Sequence, residues 1–242
     1  MDYTLEIAQG TEALAQKAAT RFIALAEQAR QEHRPFRVSL AGGNTPVALC
    51  KTLSSSYRTQ VVWSNIEFFF GDERAVPPDH PDSNFRLISE ALFRPTGIPS
   101  RQIHRMRGEM EDLDAAAELY SEELMPLATD DLPRFDLVLL GMGPDGHTAS
   151  LFPNNAVLEE RTRWVVPVFD SPKPPPRRLT LTLPVLNAAR QVIFLVAGTD
   201  KAPAVREVLQ GKAPAEQYPA KLVRPGPDRL LWLLNQEAAS QL

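Results

Sequence analysis

Residues 135–153, FDLVLLGMGPDGHTASLFP, carry the strongest structural signal in the chain. Leu137, Val138, Leu139 and Leu140 are apolar without interruption, as in a strand buried on both faces. The run breaks at Gly141, Gly143 and Gly146, with Pro144 between them. Glycine lets a backbone turn sharply and approach a ligand closely. The turn delivers Asp145 and His147. Thr148 to Leu151 is expected to start a short helix, limited by Pro153. A strand ending in a Gly-rich turn that presents His beside Asp suits acid–base chemistry. It suits a tight strand-to-helix connection with a solvated Asp and His equally well, because short motifs often match by chance.

The same arrangement recurs on both sides of this stretch. Arg37 to Leu40 reads as a strand and runs into Ala41-Gly42-Gly43-Asn44-Thr45-Pro46. Pro46 suits the first turn of a helix that Val47, Leu49, Cys50 and Leu53 continue. Free N–H groups and the helix dipole at such a start can hold an anion, with Asn44 and Thr45 as side-chain donors. The loop is neither a Walker A nor a dinucleotide fingerprint, and a plain connecting turn also fits it. Ile66 to Phe70 is a further buried-type strand, ending in Gly71-Asp72-Glu73-Arg74. On local evidence these three charges read more readily as a solvated cluster than as a ligand site. Gln191 to Val196 is another strand, followed by Gly198, Asp200 and Lys201.

Around these lie weaker signals. Leu5 and Ile7 suit a short edge strand, and Thr11 a cap for an amphipathic helix reaching about Glu32. Ser83 is placed to cap a helix over 84–93, and 113–128 forms the next helix. Trp164 to Phe169 is a strand that Pro167 confines to an edge. Ser171 to Pro176 is a stiff loop. Leu179 to Leu183, Leu222-Val223 and Leu230 to Leu234 are strands, and 184–189 and 202–209 are helices. Alternating strands and helices imply an α/β fold: a mostly parallel sheet with helices on both faces. Only the SPKPPP tract resembles a linker and both its flanks read as sheet, so one domain over 1–242 is expected. In open α/β sheets ligands bind beyond the carboxyl ends of the strands. Four strands here end in Gly plus polar residues: two of the loops supply cations, one anion-binding amides and one a candidate base. Together they suit a phosphorylated, hydroxyl-rich small molecule.

Composition sets outer limits. The chain has 242 residues, 43% hydrophobic and 23% charged, with a net charge of -4. That balance offers nothing to a nucleic acid or a membrane surface, and no obligate protein partner is evident. Its N-terminus lacks the basic and apolar regions of a signal peptide, and no segment has the roughly 20 apolar residues of a membrane span. Cys50 is the only cysteine; it reads as a core residue, and no intramolecular disulfide is possible. A cytoplasmic enzyme or binding protein is expected. His33, His80 and His104 read as surface residues, and no metal-ligand spacing is visible.

The segments SLAGGNTP (39–46), FFGDERAVPPDHPDSN (69–84), DLVLLGMGPDGHTASLFP (136–153), RLTLTLPVLNAAR (178–190) and VAGTDKA (196–202) together resemble the 6-phosphogluconolactonase family. The resemblance implies a Rossmann-like fold shared with glucosamine-6-phosphate deaminase and ribose-5-phosphate isomerase. It implies hydrolysis of 6-phospho-D-glucono-1,5-lactone in the oxidative pentose phosphate pathway, with no metal or organic cofactor. His147 matches the family's general base, and Asp145 a residue that orients it or shapes its loop. Gly42, Gly43, Asn44 and Thr45 match the phosphate loop. Arg178 and Lys201 match cationic positions near the phosphate, and Asp72 and Arg74 polar positions lining the sugar site. Deaminase relatives usually carry Glu where this chain has Phe152, which weighs against deaminase or isomerase chemistry. A sugar-phosphate-sensing module on the same fold would need a DNA-binding segment, for which the chain has no spare length.

Overall fold

The computed structural model describes residues 3–242. In order, the main elements are β1 (Thr4–Ala8), α1 (Thr11–Gln31), β2 (Phe36–Leu40), α2 (Asn44–Ser55), β3 (Ile66–Phe70), β4 (Asp72–Arg74), α3 (Asn84–Ile88), α4 (Arg94–Thr96) and α5 (Leu113–Leu124). They continue with β5 (Ala128–Thr129), β6 (Leu132–Pro133), β7 (Leu137–Leu140), β8 (Val165–Val168), β9 (Arg178–Leu181), α6 (Leu183–Ala188), β10 (Val192–Val196), α7 (Ala202–Gln210) and β11 (Leu230–Asn235).

Six strands form one sheet in the order β1-β11-β10-β7-β2-β3, and every neighbouring pair is parallel. The expected doubly covered parallel sheet is therefore present. β7, β10 and β11 lack alternation in sequence because both their faces are apolar, whereas β2 (FRVSL) alternates. Leu137, Leu139, Ile193, Leu195, Leu231 and Leu233 pack under α1, α2 and α3. Val138, Leu140, Phe194 and Trp232 pack on the other face with α5, α6 and α7. Phe194 and Trp232 are register partners on adjacent strands, and their rings stack 3.9 Å apart. At the far edge Tyr120 of α5 replaces a missing strand: its hydroxyl accepts from Phe70 N at 2.8 Å and donates to Phe70 O at 3.1 Å. Cys50 is buried, as expected, and burial pushes its thiol up to about 12.

A second sheet was not legible in the sequence. β4, β9 and β8 pair antiparallel, with β8 at an edge as Pro167 requires. β4 begins one residue after β3 and is made of the charged triplet Asp72-Glu73-Arg74. The solvated reading of that triplet is wrong: Asp72 and Glu73 are 6% and 3% exposed. Oε1 of Glu73 accepts from Arg74 N at 2.7 Å and Asn84 N at 2.8 Å, and Oε2 from Phe85 N at 2.9 Å and Ser83 Oγ at 3.1 Å. The carboxylate thus satisfies the free amides at the start of α3. Burial pushes the Glu73 carboxyl up, against the pull of these amides.

Other expectations are adjusted locally. Thr11 is the first helical residue, and Gly10 holds the cap position. α2 starts at Asn44, two residues before Pro46. Ser83 does cap α3, accepting from Arg86 N, but the helix relaxes into a π-turn over Ser89–Phe93. Leu222 closes a 3-10 turn (Pro219–Leu222) rather than opening a strand. His104 is no ordinary surface residue: its ring stacks on Phe69 at 4.3 Å. Among the described residues no helix is long and apolar enough to cross a membrane.

Candidate active site

A parallel sheet puts the carboxyl ends of all its strands on one edge. The loops after β2, β3, β7 and β10 therefore meet there, around a cavity of about 350 Å³. That volume suits a small metabolite. Gly42, Gly43, Asn44, Thr45, Asp72, Arg74, His147, Arg178 and Lys201 all line it. Asp145 stands behind His147 rather than in the wall.

Each wall is built for a local reason. Gly43 has φ +88 and lets the chain turn from β2 into α2, whose first residues line the cavity. A Cβ on Gly42 would lie 1.8 Å from Asn84 Oδ1, so the close packing of α3 against this loop requires glycine. The expected helix over Thr148 to Leu151 does not form. Thr148 Oγ1 donates to Gly141 O at 2.8 Å, Gly143 N donates to His147 O at 2.9 Å, and Ala149 has φ +48. The backbone bonds that a helix would need are spent closing this loop.

His147 Nδ1 lies 2.5 Å from Asp145 Oδ1, and Lys173 Nζ lies 3.1 Å from Asp145 Oδ2. An ionised carboxylate only accepts, so Nδ1–H donates to Asp145; in the neutral ring that tautomer leaves the lone pair on Nε2. Burial raises the pKa of Asp145, but the His147 hydrogen bond and Lys173 outweigh it and hold the carboxyl well below the usual range. Phe152 packs against the imidazole with ring centroids 4.7 Å apart. Phe152 is itself buried and gives the imidazole an apolar neighbour.

The cavity wall carries four cationic side chains, Arg74, Lys173, Arg178 and Lys201, against the carboxylates of Asp72 and Asp200. It is locally positive in a chain of net charge -4. Arg178 is only 5% exposed. Its Nε donates to Pro175 O at 3.1 Å and its Nη2 to the carbonyls of Pro174 and Lys173 at 3.2 and 3.3 Å. Burial lowers its pKa, with Asp72 opposing. Arg74 Nη1 donates to Asp82 O at 2.7 Å, and its buried Nε has no partner. Lys201 pairs with Asp200 at 2.8 Å. Asp72 accepts from Ser150 Oγ at 2.7 Å and from Asn84 Nδ2 at 3.1 Å.

Lys173, Asn84 and Ser150 were missed from sequence. Lys173 sits in SPKPPP, which reads as a connector. The available signal was a lysine fixed by flanking prolines between two strands that end near the sheet edge.

This fold and cavity define a Rossmann-like α/β enzyme with a His–Asp pair in a cationic cleft. The chain belongs to the glucosamine-6-phosphate isomerase/6-phosphogluconolactonase family, whose model matches residues 9–232. It is 40% identical over 248 residues to the 6-phosphogluconolactonase of Mycobacterium tuberculosis, covering 100% of this chain and 99% of that one. The human 6-phosphogluconolactonase is 40% identical over 233 residues, covering 95% and 88%. The solved structure of 6-phosphogluconolactonase from Trypanosoma brucei superposes with a TM-score of 0.86 at 29% identity, covering 99% and 98%.

Proposed function

We propose that this protein is a 6-phosphogluconolactonase, hydrolysing 6-phospho-D-glucono-1,5-lactone to 6-phospho-D-gluconate in the oxidative pentose phosphate pathway. The observation that carries the reading is the His147–Asp145 pair, with His147 in the wall of a cationic cleft. Nε2 takes a proton from water as the water oxygen bonds to the lactone carbonyl carbon. The tetrahedral adduct collapses, and the imidazolium returns the proton to the departing ring oxygen. Asp145 holds the tautomer and stabilises the imidazolium between these steps. The substrate phosphate docks on the amides of Gly43, Asn44 and Thr45 with Arg178 and Lys201, and supplies remote binding energy. Gly42 gives that loop its close approach, and Asp72 and Arg74 border the sugar.

One domain performs the reaction, since a single sheet underlies both apolar cores and β3, β7, β10 and β11 contribute side chains to each. The lone buried thiol supports a reducing compartment, the cytoplasm. The substrate is the only partner that the reading requires.

Freshly prepared lactone, followed against a no-enzyme control, tests the activity. His147→Asn should lower kcat by about 10²–10⁴-fold with little change in 6-phosphogluconate affinity. A folded His147→Asn protein keeping more than about a tenth of wild-type turnover removes His147 as base. Ammonia release from glucosamine 6-phosphate at a comparable rate overturns the assignment.

A further inference from the structure

The opposite edge of the sheet holds a second charged cavity, of about 260 Å³. Four arginines line it: Arg34, Arg134, Arg190 and Arg229. Each lies within three residues of a strand start, before β2, β7, β10 and β11 respectively. The parallel topology therefore gathers them at the amino ends of four adjacent strands.

The carboxylates in the wall are Asp136 and Glu32. Asp136 is 6% exposed and receives Arg34 Nη1 at 2.5 Å, with Arg190 Nε at 3.3 Å. Its second oxygen accepts from Arg37 N at 2.9 Å. Glu32 pairs with Arg34 Nε at 2.7 Å. The two carboxylates are thereby engaged by Arg34 and Arg190. Arg134 and Arg229 make no side-chain hydrogen bond or ion pair among the described residues, and Arg134 Nε is buried without a partner. A buried guanidinium N–H left unpaired costs free energy unless an acceptor occupies the cavity.

We propose that this cavity is an oxyanion site, separate from the catalytic cleft, that takes a small anion of the phosphate type with two or more negative charges. Two charges match the two arginines that Asp136 and Glu32 do not engage. The planar forks of Arg134 and Arg229 suit bidentate contact with phosphate oxygens. The volume admits pyrophosphate.

Calorimetric titration with pyrophosphate, at constant ionic strength with chloride as control, tests the site. The catalytic cleft also attracts anions, so the readout is the difference between wild type and the Arg134→Gln/Arg229→Gln variant. The wild type is expected to bind one more equivalent than the double variant, with equal lactone kinetics in pyrophosphate-free buffer. Arg229 is exposed and has no side-chain partner, so the single Arg229→Gln protein keeps its fold. It should bind at this site roughly 10-fold more weakly, because charged hydrogen bonds are lost. Raising the salt should weaken the wild-type site further. Equal stoichiometry and affinity in wild type and both variants overturns the proposal, as does a wild type that binds no pyrophosphate outside the cleft. The binding readout does not depend on the lactonase assignment.

Discussion

Gly143→Ala offers a sharp test of how the proposed catalytic pair, His147 and Asp145, is seated. A Cβ on Gly143 would stand 2.1 Å from His147 Nδ1, 2.2 Å from its Cε1 and 2.5 Å from Asp145 Oδ1. Gly143 does not have a left-handed backbone, so alanine brings no conformational strain there. The effect is steric and falls on one object, the imidazole with its carboxylate. Ordinary contact begins at 3.4 Å, so the ring must retreat by about 1.3 Å. A misplacement of about 1 Å costs on the order of 10²-fold in rate, or about 2.7 kcal/mol of activation free energy. The expected result is a kcat about 100-fold below wild type, with a nearly unchanged KM, because the phosphate-side walls do not move. Steady-state kinetics on the phosphorylated lactone, with melting temperature and 6-phosphogluconate affinity on the same preparation, measures this. A stable variant with kcat within about threefold of wild type would show that the seating of His147 does not govern turnover.

Arg178→Ala should lower kcat/KM by roughly 10- to 100-fold and lower kcat as well, because Arg178 also ties down the loop that carries Lys173. Kinetics on phosphorylated and unphosphorylated lactone separate the two effects, and an equal loss on both substrates would exclude a phosphate contact. Glu73→Ala leaves two α3 amides without an acceptor in a buried site and should destabilise by roughly 3 kcal/mol or more, read as a lower urea midpoint at constant m. Asp145 is held below its ordinary pKa when folded, so its contribution is complete above about pH 4 and is lost as the pH falls through the folded value. The melting-temperature gap between wild type and Asp145→Asn should therefore narrow from about pH 6 to about pH 3; a gap that widens refutes the pairing.

The sequence alone determined the parallel sheet and the edge that carries the site. Apolar runs such as Leu137-Val138-Leu139-Leu140 and Phe68-Phe69-Phe70 mark buried strands. Each ends in glycine and polar residues, and parallel order then brings those ends together. This logic needs no long-range information, because strand direction and connection length are local properties. It located His147, Asp145, Gly42 to Thr45, Asp72, Arg74 and Lys201 at one edge, while Arg178 came from the family resemblance.

Tertiary structure alone decided which polar groups are buried and what they touch. Asp72-Glu73-Arg74 has no apolar pattern, yet it forms a strand because β9, more than a hundred residues later, supplies its ladder. Its carboxylates tolerate burial because Ser83, Asn84 and Phe85 at the start of α3, and Ser150 from the loop after β7, supply donors. Thr148 to Leu151 carries enough helix propensity to mislead, but bonds to Gly141 and Gly143 outweigh it. Lys173 reaches Asp145 because Arg178, buried at the end of the same loop, holds three of its carbonyls. Propensity and periodicity report on each segment's own backbone and its average surroundings; partner identity for a buried charge depends on geometry that exists only after the sheet has closed.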